Sequence, residues 1–159
     1  MAALALAARG VLAIMLAWAA VAKVRDAKRL PTELRAFGIP PALSMPAAIA
    51  IPSVELAIAV TLISIPHSSV PAFAAVGLLA LFTGAVVANL LRENAAPCPC
   101  FGAVAVERSV AGRTLFRNAW LLALAVLATG DPTGEPGALS LPVFMVLGLA
   151  TFYVVLKTS

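Results

Sequence analysis

The feature that most limits this chain is a succession of apolar runs, each about as long as a lipid bilayer is thick. A helix needs roughly 20 mostly apolar residues to cross the hydrocarbon core. Such runs lie at 2–22, 47–65, 72–91 and 139–156, and a shorter one at 115–129 opens with Arg117 and Asn118 in its first turns. In lipid, a helix satisfies its backbone hydrogen bonds within one segment. The expected fold is therefore all-α: a polytopic transmembrane helix bundle with a four-helix core and five spans, forming a single domain over 1–159. Composition points the same way, with 62% hydrophobic and 11% charged residues and a mean hydropathy of +1.04. Soluble domains carry roughly a quarter charged residues, and a chain this poor in charge cannot cover a water-facing surface.

The first run has a competing reading. Ala20-Val21-Ala22 follows an apolar core and resembles a signal-peptidase site. The length of the run and its sole early charge, Arg9, favour a retained span. The connection 23–46 is basic, with Leu30, Leu34 and Phe37 at helical spacing ahead of Gly38-Ile39-Pro40-Pro41. It suits an amphipathic helix lying along the membrane surface.

The net charge of +4 does not imply a nucleic-acid partner, because the basic residues lie between apolar runs. Lys23, Arg25, Lys28, Arg29 and Arg35 fall in the first connection, Arg92, Arg108, Arg113 and Arg117 around the third, and Lys157 after the last run. The connections 66–71 and 130–138 have none. With five spans, the positive-inside rule puts the amino terminus outside and both basic connections in the cytoplasm. Trp18, Trp120 and Tyr153 suit interfacial anchors, and His67 suits an exposed turn. No His/Cys/Asp/Glu set has metal-ligand spacing, no glycine loop suits phosphate and no Ser/His/Asp set stands out.

The two cysteines, Cys98 and Cys100, form Cys-Pro-Cys within the connection 92–114. Residues i and i+2 on an extended strand lie near the top of the roughly 4.4–6.8 Å Cα window for a disulfide, and Pro99 can bend the pair together. A bond between them closes a very small, strained ring, and strained exposed disulfides are the labile, catalytic kind. Half a metal site, an inert disulfide and two idle thiols remain as alternatives. The absence of a third cysteine and the placement of His67 at the opposite face weigh against the metal.

Glu55 is the second feature. It falls mid-span, where a carboxylate is costly and marks a functional site by default. Pro52, one turn earlier, frees a backbone carbonyl beside it. The competing reading is an interhelical pair that fixes packing, with Lys23, Asn89 or Arg117 as partner. Lys23 and Arg117 lie at span ends, where snorkelling to the headgroups is the ordinary explanation. Alternatively, Arg117 and the amino end of its helix face the cysteine pair and favour the thiolate.

Together these residues resemble the MauE family, grouped with DoxX-type redox-associated membrane proteins. The resemblance rests on Ala22-Lys23, Phe37-Gly38-Ile39-Pro40, Pro52-Ser53-Val54-Glu55-Leu56, Cys98-Pro99-Cys100-Phe101-Gly102 and Arg117-Asn118. The family more often has glycine between its cysteines, so Pro99 is a modest departure. The resemblance covers residues 1–129, and the fifth run looks like an addition.

It implies catalytic roles for Cys98 and Cys100, with Glu55, Lys23, Arg117, Asn118, Pro99, Phe101 and Gly102 in support. It also implies a thioredoxin-like partner, a place in methylamine utilisation or a related redox pathway, and a cell-membrane location. Membrane thiol oxidoreductases of the DsbB or VKOR kind relay electrons through two cysteine pairs. With one pair, any relay continues to a quinone in the bundle or to another protein. A non-catalytic subunit or small-solute carrier using Glu55 is the rival from another class. The family role places the cysteines in an oxidising compartment outside the cytoplasm, whereas the charge bias places them inside.

Overall fold

The computed structural model describes residues 2–91, 108–130, 146 and 149–151. Five helices are defined there: α1 (Ala2–Arg25), α2 (Leu30–Ala36), α3 (Pro41–Ser64), α4 (Val70–Leu91) and α5 (Arg108–Ala128). The chain is an all-α polytopic membrane helix bundle. Three of these helices, over Ala3–Arg25, Pro41–Ser64 and Val70–Asn89, are long and apolar enough to cross a bilayer. In α5 the amino-terminal half carries Arg113, Arg117 and Asn118. The run expected at 139–156 lies mostly outside the described residues; Val146 and 149–151 are helical.

Short turns impose an up-down order. Arg9, near the start of α1, bonds to Pro66 and Ser68 in the α3–α4 turn and to Ala128 at the end of α5. Those three features therefore share one face. The end of α1, α2, the start of α3, the end of α4 and the start of α5 share the other. The exposed cations Arg25, Lys28, Arg29, Arg35 and Arg113 all belong to that second face.

The core is built from small and branched apolar residues. Ala8, Leu12 and Leu16 of α1 meet Ala59 and Leu62 of α3, Ala72, Ala75 and Leu79 of α4, and Leu124, Ala125 and Ala128 of α5. The alanines let backbones approach closely, which is how helices gain dispersion energy in lipid. Outward, Ile14, Val60, Ile63, Phe73, Leu81, Phe116 and Val126 are exposed. In water that surface would be an aggregation hazard; in a bilayer it is the ordinary lipid-facing belt.

The connection after α1 folds back onto the bundle. Leu30 and Leu34 of α2 bury against Ala48 of α3, with Ile39 and Ile51 alongside. Gly38, at φ 92°, ends α2 in a left-handed turn in which the Ile39 amide donates to Leu34 O at 3.0 Å and the Gly38 amide to Arg35 O at 2.9 Å. Glycine takes that conformation without a Cβ penalty. Pro41 then opens α3, where its missing N–H costs nothing. The Arg35 Nε donates to Ser44 Oγ, and that hydroxyl donates to Pro41 O, tying α2 to the first turn of α3.

Candidate functional site

The polar interior is centred on Glu55. An acid in the middle of α3 is 1% exposed, and Lys23 from α1 is 3% exposed. The ammonium Nζ donates to both carboxylate oxygens, at 2.7 and 2.9 Å. The pair is bidentate and cross-helical. Antiparallel packing explains the match: Arg9 lies beside residues 66–68, so the same register brings Lys23 beside Glu55. Lys23 turns inward instead of snorkelling, and its Nζ also sits 5.5 Å from the Phe82 ring centroid on α4, within range of a cation–π contact.

Other polar groups gather around the same part of the bundle. Asn89 of α4 and Thr114, Arg117 and Asn118 of α5 are all buried. Arg117 is 5% exposed, so it too is held inside rather than extended to the headgroups. Asn118 shares a small cavity with Glu55, walled by Leu12, Leu16, Leu79 and Leu121. Its volume is about 10 Å³, close to the minimum that holds one water molecule. Beside it, between α2, α3 and α4, an apolar cleft of about 440 Å³ is lined by Leu34, Ile51, Val54, Leu78 and Phe82.

The sequence-predicted residues thus divide. Lys23, Glu55 and Asn118 come together at one level, and Arg117, the residue before Asn118 in α5, is also buried. Cys98, Pro99, Cys100, Phe101 and Gly102 lie outside the described residues. The helices bracketing them end at Leu91 and begin again at Arg108, both at the basic face. From Phe82 to Leu91 is roughly 13 Å along α4 at ~1.5 Å per residue. The cysteine-bearing connection is therefore attached well beyond the Lys23–Glu55 level.

Arg9 is a residue whose part the sequence did not assign. It is 2% exposed, with Nε donating to Ala128 O at 2.9 Å and Nη1 to Ser68 O at 2.8 Å and to Pro66 O. The available signal was an arginine inside an otherwise uncharged apolar run. Trp120 also departs from expectation, since its indole Nε1 donates to Thr151 Oγ1 at 3.1 Å inside the bundle rather than serving only as an interfacial anchor. Trp18, 62% exposed, does face outward, and Tyr153 lies outside the described residues.

Long apolar helices packed around a buried bidentate ion pair define a small polytopic membrane protein with a polar interior. The comparisons make that specific: the chain belongs to the MauE family, whose profile, described as methylamine utilisation protein MauE, matches residues 1–130. A methylamine utilization protein MauE from Paracoccus denitrificans is 35% identical over 132 residues, covering 81% of this chain and 70% of the relative. No solved structure matches the chain significantly.

Proposed function

We propose that this chain is an accessory membrane protein of methylamine utilisation that presents Cys98-Pro99-Cys100 for thiol–disulfide exchange with a thioredoxin-like partner. The observation that carries the reading is the placement of the two bracketing helices. The carboxyl end of α4 and the amino end of α5 reach the same face, and both helices are packed into the bundle. The connection between them therefore leaves and re-enters the bundle at one face, where a partner protein can reach it. The family match and the relative's name support the pathway.

The exchange has a simple balance. A thiolate of one cysteine attacks a sulfur of the partner's disulfide, forming a mixed disulfide and releasing a partner thiolate. The second cysteine then attacks the mixed bond. A Cys98–Cys100 disulfide forms, the partner becomes a dithiol, and two electrons and two protons have moved. The reverse sequence oxidises the partner. Lys23 and Glu55 act here by positioning, because they hold α1 to α3 at a level well inside the attachment points of the cysteine segment. The first turns of α5, which carry Arg113, put positive charge and the partial positive end of the helix on the side to which the cysteine segment attaches, and both favour a thiolate.

The solute-carrier reading is the weaker one. Both oxygens of Glu55 accept from Lys23, the cavity that Glu55 lines is about 10 Å³, room for a water and no larger solute, and the larger cleft that Lys23 borders has otherwise apolar walls.

The test is alkylation of cellular protein with a mass-tagging maleimide before and after reduction. The expected result is a population in which both cysteines are protected until reduced, and a mixed-disulfide adduct trapped by Cys98→Ser or Cys100→Ser. If neither a disulfide nor an adduct forms under oxidising conditions, the redox reading is wrong. The same reagent in membrane-impermeant form, applied from each side, assigns the compartment of the pair.

A further inference from the structure

We infer that the cavity between Glu55 and Asn118 is a binding site for a single water molecule, and that this water makes Asn118 the third member of a polar chain running from α1 to α5. The inference does not depend on thiol chemistry. All four long helices wall the cavity: Leu12 and Leu16 from α1, Glu55 from α3, Leu79 from α4, and Asn118 and Leu121 from α5. Apart from the carboxylate and the amide, the walls are apolar, so any guest is held by those two groups. The volume, about 10 Å³, selects for size; a cavity of roughly this measure is the smallest that holds one water.

The amide supplies the second observation. Asn118 is 2% exposed, and among the described residues no group accepts a hydrogen bond from its Nδ2. Lipid offers no solvent to satisfy such a donor, and a buried unpaired amide is costly. Glu55 has the complementary surplus: each carboxylate oxygen accepts one bond from Lys23 and retains a lone pair, since an ionised carboxylate has about four acceptor sites. A water accepting from Asn118 Nδ2 and donating to Glu55 satisfies both groups. Exchanging the amide's oxygen and nitrogen does not alter the conclusion, because Oδ1 would then accept from the same water.

The consequence is mechanical. Lys23–Glu55 joins α1 to α3, and the water extends the link to α5, next to buried Arg117. Asn118 is then a positioning residue that fixes the rotation of α5 against the ion pair.

Asn118→Leu separates this from a dry cavity with an orphaned amide. Removing an unsatisfied polar group while adding apolar volume should raise the thermal midpoint of the purified protein in detergent. Removing one anchor of a bridging water should lower it. We expect a lower midpoint, and a higher one overturns the proposal. A high-resolution experimental map decides the matter independently of that variant. A water peak within hydrogen-bond distance of both Glu55 and Asn118 is expected, and a featureless cavity in a well-ordered map overturns the site.

Discussion

Helix α1 buries two cations, and the bundle holds them by opposite means. Among the described residues, Arg9 is bound by backbone carbonyls, those of Pro66, Ser68 and Ala128. Lys23, roughly 21 Å further along the helix at ~1.5 Å per residue, is bound by a carboxylate. Position explains the difference. Ala128 is the last residue of α5, and Pro66 and Ser68 lie just beyond the end of α3. Helix carboxyl ends have unpaired carbonyls and a partial negative charge. A guanidinium at that face finds acceptors already waiting, and its fork reaches three at once. Lys23 faces the middle of α3, where the helix consumes the carbonyls apart from the one that Pro52 frees, that of Ala48 about two turns before Glu55. A carboxylate balances the ammonium there, and Glu55 supplies it.

The comparison is broken most directly at the ion pair. Removing one partner of a buried pair strands the other, at a cost of about 3–5 kcal/mol. Glu55→Gln and Lys23→Met should each lose that much in equilibrium unfolding, or fail to accumulate in the membrane. The double variant Lys23→Met with Glu55→Met should recover most of the loss, because two apolar residues strand no charge. Singles within 1 kcal/mol of the parent, a figure typical of ~0–1 kcal/mol exposed pairs, would mean that water reaches the site freely.

Arg9 should matter less, because its acceptors lie near a face where water can replace it. Hydrogen bonds to charged groups contribute about 1.5–3 kcal/mol, so Arg9→Leu should cost within that range. Arg9→Lys should restore only part, since a point charge cannot span carbonyls from two separate elements. Full rescue by lysine would show that charge alone, and not the fork, holds that face together. Smaller still is Trp120→Phe, which deletes one neutral hydrogen bond to Thr151. A loss of about 0.5–1.5 kcal/mol is expected, with faster proteolysis after Gly130 as the local readout.

The same contrast marks what could be read from the chain itself. The membrane bundle was legible because apolar runs of bilayer length have few other uses. Glu55 was legible because a carboxylate inside such a run demands an explanation. Its partner was not, since Lys23, Asn89 and Arg117 all stand within reach on sequence alone. The choice is made by the antiparallel register of α1 and α3, a tertiary quantity. Arg9 was noticed only as an interruption, because its acceptors are main-chain carbonyls and these carry no residue-type signature. Trp120 was legible only as amphipathic, and which neighbour receives its N–H depends on the packing of a segment far along the chain.

A third charged site, on α2 outside the spans, supplies the water-side limit of the comparison. Glu33 is half-buried at the base of that helix. Desolvation, chiefly, and the neighbouring charge of Asp26 raise its carboxyl pKa, and Arg29 offsets part of the rise. The sign follows from linkage: the folded protein binds this proton more tightly than the unfolded chain does. Glu33 therefore favours the docked state of α2 while protonated, and that contribution is lost as pH rises through the raised value. Glu33→Gln, which mimics the protonated acid, should match the parent in acid and exceed it slightly in thermal midpoint near neutral pH. The gain should shrink in high salt to the extent that Asp26 rather than burial is responsible. If the variant is less stable than the parent at neutral pH, the ionised carboxylate is making a favourable contact on α2, and the progression from mid-depth pair to inner rim to water would need a different account at its outer end.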